Sequence, residues 1–76
     1  MNLKANEIAK ALGTIVDSQN IINRVSIDSR DVDEHTLFFA IKGERFDGHD
    51  FVKDVAEKGV GAIVCHKKVE CDAPVI

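Results

Sequence analysis

Apolar positions recur along this chain in several rhythms, and each rhythm predicts an element. Residues 6–12 place Ile8, Ala9 and Leu12 at i, i+1 and i+4, which is one face of a short helix. Either Lys4 or Asn6 caps its start, and Gly13 stands where a left-handed residue ends it. The runs 14–16 and 21–27 read as strands on either side of the turn residues Asp17-Ser18-Gln19-Asn20, which predicts a hairpin. Residues 36–41 form a nearly continuous apolar run, the mark of a strand covered on both faces and hence central in its sheet. A polar loop, 42–49, follows, and then Phe51, Val52, Val55 and Ala56 share a helical face that Gly59 ends. Asp47 or Asp50 caps that second helix, where a carboxylate also meets the positive end of the helix dipole. Residues 62–65 are another buried-type strand, so 36–65 is one strand-loop-helix-strand unit of the parallel kind. Residues 73–76 begin a further strand, which predicts a piece cut from a longer protein. The expected fold is α/β: a small, three-layer-like domain with a mixed sheet and two main helices, spanning residues 1–76.

Composition narrows the classes. Leu, Ile, Val and Phe make up 24 of 76 residues, enough for a folded core, but a chain this short has a marginal one and is expected to have a neighbour. The net charge of -3, with no basic block, argues against nucleic acid as a partner. No apolar run reaches the roughly 18–20 residues of a bilayer span, and no signal-peptide pattern follows Met1, so a cytoplasmic location is expected. Cys65 and Cys71 are expected to be reduced thiols, and with His35, His49 and His66 they lack the spacing of a metal site.

The loop 42–49 is the most informative segment, because it joins the carboxyl end of a central strand to the start of a helix, where open α/β sheets bind ligands. Gly43 and Gly48 allow close backbone approach, and free amides at the helix start favour an anion such as phosphate. Lys42 and Arg45 offer charge-assisted contacts, and the Phe46 ring offers a stacking face. The same loop also reads as a solvated connector with ordinary turn glycines. Asp28-Ser29-Arg30 follows a strand end and suits either ligand hydrogen bonding or a self-bonded turn. The chain has no G-x-x-x-x-G-K-[ST] sequence, so it has no phosphate loop of the Walker type.

Three blocks taken together, Ser26-Ile27-Asp28-Ser29-Arg30, the stretch from Thr36 through Gly43-Glu44-Arg45-Phe46-Asp47-Gly48-His49 to Phe51, and Glu57-Lys58-Gly59-Val60-Gly61-Ala62, closely resemble the amino-terminal domain of the Mur ligases in order and spacing. The loop wording resembles most the branch that adds D-alanyl-D-alanine, with the tripeptide-forming branch as the nearest alternative. The resemblance implies a peptidoglycan-precursor ligase in which this domain anchors the uridine diphosphate end of a UDP-N-acetylmuramoyl-peptide. It places the uridine-nucleotide contacts at Ile27, Ser29, Glu44, Arg45 and Phe46, with Lys42, Asp47 and His49 next in line. It also implies that ATP and Mg2+ are bound by a central domain of the same polypeptide, after a phosphate loop expected beyond Ile76. No catalytic group is expected here. One departure is Asp33-Glu34-His35-Thr36, where the family has a Pro-Gly-Asp turn; His35 is then expected to take a glycine-type backbone angle. A non-enzymatic α/β docking module is the reading from a different class.

Overall fold

The computed structural model describes residues 2–43, 47–65 and 71–76. In chain order the elements are β1 (Leu3–Lys4), α1 (Ala5–Ala11), β2 (Ile21–Ile22), β3 (Arg24–Ser26), β4 (Thr36–Phe39), a 3-10 turn (Gly48–Phe51), α2 (Val52–Glu57) and β5 (Ala62–Val64). β3, β4 and β5 form a parallel sheet with β4 in the centre, while β1 and β2 pair antiparallel beside it. The chain's last residues extend the parallel sheet: Ile63 N–H donates to the Pro74 carbonyl and Ile76 N–H to the Ile63 carbonyl.

Strand alternation sends apolar side chains to both faces of β4, and each face has its own core. Phe38 and Ile63 pack with Val52, Val55 and Val60, which brings α2 onto one face. Leu37 and Ala62 pack with Ala5 and Ile22, with Ile8 and Phe39 beside them, which brings α1 onto the other. The three expected layers are therefore α1, sheet and α2. Antiparallel and parallel pairing are both present, but they are divided between two sheets.

Both helices end on the predicted glycines. Gly13 and Gly59 have φ of 81° and 77°, and the amides one residue on, Thr14 and Val60, reach back to the Ala9 and Val55 carbonyls. That geometry satisfies carbonyls left over at each helix end, and a glycine adopts it without steric cost.

The hairpin over 14–27 does not form. Ile21 and Ile22 pair with Lys4 and Leu3, and Ile15 is 94% exposed. The reason lies in α1: its first-turn amides lack partners within the helix, and Ala5 and Asn6 N–H take the carbonyls of Asn20 and Ser18. Residues 14–20 thus return along the helix instead of pairing as a strand. The expected strand 21–27 is split at Asn23, whose amide turns to the His35 carbonyl. His35 also differs from expectation, since among the described residues no non-glycine has positive φ. The Asp33 carboxylate builds the turn instead, accepting from His35 N–H at 2.8 Å and from the Thr36 hydroxyl at 2.9 Å.

Candidate functional site

Because β3, β4 and β5 run parallel, the segments that leave them emerge at one edge of the sheet. Residues 27–30 follow β3, residues 40–43 follow β4, and Cys65 follows β5. Two hollows open along this edge. One, of about 520 Å³, is lined by Phe39, Ala40, Ile41, Lys42, Val64 and Cys65. The other, of about 630 Å³, is lined by Ile27, Asp28, Ser29, Arg30, Phe51 and Asp54. A third hollow, of about 460 Å³, lies between α2 and Cys71-Asp72 and contains none of the expected contact residues.

The turn after β3 is tightly self-bonded. The Asp28 carboxylate accepts from the Arg30 amide at 2.9 Å, from Arg30 Nε at 3.1 Å and from Arg30 Nη2 at 3.0 Å. Ser26 Oγ accepts from the Asp28 amide at 3.0 Å, and the Asp31 amide donates to the Asp28 carbonyl. The turn reading of Asp28-Ser29-Arg30 is therefore correct for Asp28 and Arg30, while Ser29 and an exposed Ile27 face the larger hollow.

The Arg30 side chain, with its backbone amide, holds the Asp28 carboxyl down at about 2, against an ordinary 3.8. A depressed folded-state pKa means that this ion pair's contribution is complete above the ordinary value and is lost as pH falls through the folded one. The Asp28 side-chain carbonyl carbon is expected to titrate by NMR with a midpoint near 2, leaving the turn intact at neutral pH. A midpoint at 3.8 would mean that the pair does not form in solution.

Loop 42–49 is braced from within. Lys42 and Asp47 face each other across a single antiparallel bridge. The Asp47 carboxylate accepts from the His49 amide at 2.9 Å and lies 2.6 Å from His49 Nδ1. A carboxylate only accepts, so that ring nitrogen carries the proton. The His49 side chain is buried, and the Asp47 side chain beside it is largely so.

The amides expected to be free for an anion are already used: Gly48 N–H donates to the Ile41 carbonyl, His49 N–H to Asp47, and Asp50 N–H to the Asp47 carbonyl. The Asp47 side chain supplies the anion that this helix start favours. Gly48 likewise serves close packing against the strand, since a Cβ there would lie 2.6 Å from Ile41 N. An exposed Lys42 lines the hollow formed with Phe39, Ala40, Ile41, Val64 and Cys65. Glu44, Arg45 and Phe46, like His66, lie outside the described residues.

Phe51 was expected on the apolar face of the second helix, yet it is 39% exposed and lines the larger hollow. It ends the 3-10 turn, whose three-residue period rotates it off the stripe that Val52 and Val55 make in α2. Sequence reasoning also missed Asp54 and Lys58, although their i, i+4 spacing on an exposed helix face was a readable sign of the ion pair they form at 3.2 Å.

A model of the Mur ligase family, catalytic domain, matches residues 21–76. The chain belongs to the Mur ligase family. It is similar to the UDP-N-acetylmuramoyl-L-alanyl-D-glutamate--2,6-diaminopimelate ligase of Aquifex aeolicus, at 39% identity over 75 residues, covering 95% of this chain and 16% of that protein. It is also similar to the UDP-N-acetylmuramoyl-tripeptide--D-alanyl-D-alanine ligase of Bacillus subtilis, at 45% identity over 51 residues, covering 67% of this chain and 11% of that protein. Among solved structures, MurF from Acinetobacter baumannii superposes on all of this chain, and on 18% of its own, with a TM-score of 0.81 and 27% identity. The described fold is thus a fold of Mur ligases, and this chain spans only a small part of its relatives' length. The sequence has no Walker-type phosphate loop, and no group of three or more metal-binding side chains occurs among the described residues. No helix among the described residues is long and apolar enough to cross a membrane.

Proposed function

We propose that residues 1–76 are the amino-terminal, uridine-diphosphate-anchoring domain of an ATP-dependent peptidoglycan-precursor ligase, acting on a UDP-N-acetylmuramoyl-peptide in the cytoplasm. The observation that carries this reading is the common edge: three parallel strands deliver Ile27 and Ser29 on one side and Lys42 with its loop on the other. In this reading Ser29 and the backbone at Ile27 meet the nucleoside, while Lys42, Glu44, Arg45 and Phe46 meet the diphosphate and the ring. Asp47 and His49 act by bracing the loop that carries those residues.

The reaction proposed for the whole protein is amide formation: ATP phosphorylates the terminal carboxylate of the peptide, and an incoming amine displaces phosphate from the acyl phosphate. This domain's contribution is binding energy from the substrate's nucleotide end, which positions the distant carboxylate for reaction. ATP and Mg2+ belong, on this reading, to a central domain of the same polypeptide, which is also the neighbour that a small core calls for.

For the amine, the wording Gly43-Glu44-Arg45-Phe46-Asp47-Gly48-His49 favours D-alanyl-D-alanine added to the UDP-muramoyl-tripeptide. The likeness to the Aquifex aeolicus diaminopimelate ligase supports the tripeptide-forming branch as the second reading. Supplying the full-length protein with ATP, both UDP-muramoyl acceptors and both amines, and weighing the products, separates the two. A mass gain of D-alanyl-D-alanine on the tripeptide is the expected result, and a diaminopimelate gain on the dipeptide moves the protein to the other branch.

A further inference from the structure

We propose that Lys58 is a positioning residue for the uridine site, holding the turn after β3 against α2 so that Ser29 and Ile27 keep their places at the hollow. The inference deepens the anchoring role proposed above and rests on it.

Lys58 Nζ donates to the Ser29 carbonyl at 2.8 Å, across 29 residues of sequence, and pairs with Asp54 Oδ2 at 3.2 Å. Ser29, in the turn after β3, and Asp54, on α2, both line the 630 Å³ hollow. One ammonium therefore joins a residue of the turn to a residue of the helix, both of them at this hollow. The remaining bonds of the turn are local: Asp28 to Arg30, Ser26 to Asp28, and Arg24 to Asp31. These shape the turn on itself and on β3, whereas the Lys58 bond ties it to the helix.

Local structure explains how a residue at the far end of α2 reaches this site. Helical side chains lean toward the helix start, so the Lys58 stem runs back along α2 past Asp54, its neighbour one turn earlier. Lys58 itself is fixed by its own amide, which donates to the Asp54 carbonyl, and by the left-handed Gly59 that follows it. The ammonium has three donors, enough to hold a carbonyl and a carboxylate together.

Substituting Lys58→Met keeps the stem and removes the tether. In the full-length protein, the UDP dissociation constant measured by calorimetry is expected to rise on the order of three- to tenfold, the range of one partly exposed charged hydrogen bond. The ATP dissociation constant is expected to stay within about twofold, since on this reading ATP is held by another domain. Lys58→Arg, which also donates to both partners, is expected to restore UDP binding. Circular dichroism confirms that each variant is folded. Wild-type protein that binds UDP with an affinity Lys58→Met leaves unchanged overturns this inference alone, as does a loss of UDP and ATP binding in equal proportion or a failure of Lys58→Arg to rescue. Wild-type protein that does not bind UDP at all overturns the anchoring role and this inference with it.

Discussion

Gly48→Ala is expected to destabilise the fold by roughly 1–3 kcal/mol, the range for inserting a methyl group into a well-packed site, and, on the proposed anchoring role, to weaken UDP binding. The new Cβ would lie 2.6 Å from Ile41 N, 2.9 Å from Ile41 O and 3.1 Å from Ala40 C. All three are main-chain atoms at the end of β4, so no side-chain rotation relieves the overlap. Relief requires Gly48 to leave the strand, which breaks its 2.7 Å bond to the Ile41 carbonyl and displaces Asp47 and His49 with it. A small domain has only a few kcal/mol to lose, so a fall in the urea midpoint is the measurement. A variant with wild-type midpoint and wild-type UDP affinity would show that the loop does not pack on β4 in this way.

Arg45→Ala is expected to weaken binding of the UDP-muramoyl substrate about 10- to 100-fold, the effect of losing a charge-assisted hydrogen bond of roughly 1.5–3 kcal/mol. The expectation follows from the resemblance of the loop to the family's nucleotide contact, and the amides of Gly48, His49 and Asp50 at the helix start already have acceptors within the chain. Arg45→Lys is expected to recover only part of the loss, because an ammonium lacks the planar fork that grips two phosphate oxygens. The measurement is KM for the UDP substrate beside KM for ATP in the full-length protein. A change of twofold or less in the former would remove Arg45 from the site.

Features that follow from one local rule were legible in the sequence. The apolar run 36–41 predicted a strand covered on both faces, and β4 is central with cores on either side. Gly13 and Gly59 marked helix ends because only glycine adopts that backbone freely. The parallel unit from β4 through α2 to β5 followed from alternation of strand and helix patterns.

Features set by competition between distant groups were not. Residues 14–16 read as a strand, but the orphan amides of α1 take the Ser18 and Asn20 carbonyls of the segment that follows, and the hairpin does not form. The chemistry of the helix start was misjudged for a related reason: Asp47 or Asp50 was read as its cap, and with Asp47 taking the His49 amide and main-chain carbonyls taking those of Gly48 and Asp50, these amides are not left for an anion. Phe51 fell outside its predicted face because the helix opens with a 3-10 turn, a change of period that no apolar spacing announces. His35 needed no special angle because the Asp33 side chain built the turn, a role visible only once Thr36 and His35 are seen to share its carboxylate.

The central claim is that one edge of the parallel sheet anchors a uridine nucleotide. An amide-resolved NMR titration of residues 1–76 with UDP, and then with the UDP-muramoyl-tripeptide, tests it most directly. The account predicts saturable shifts confined to residues 27–30, 42–49 and the neighbouring Phe51, with α1 and residues 14–20 unmoved. A well-dispersed spectrum that stays unchanged at millimolar ligand, in this chain and again in the full-length protein, would contradict it.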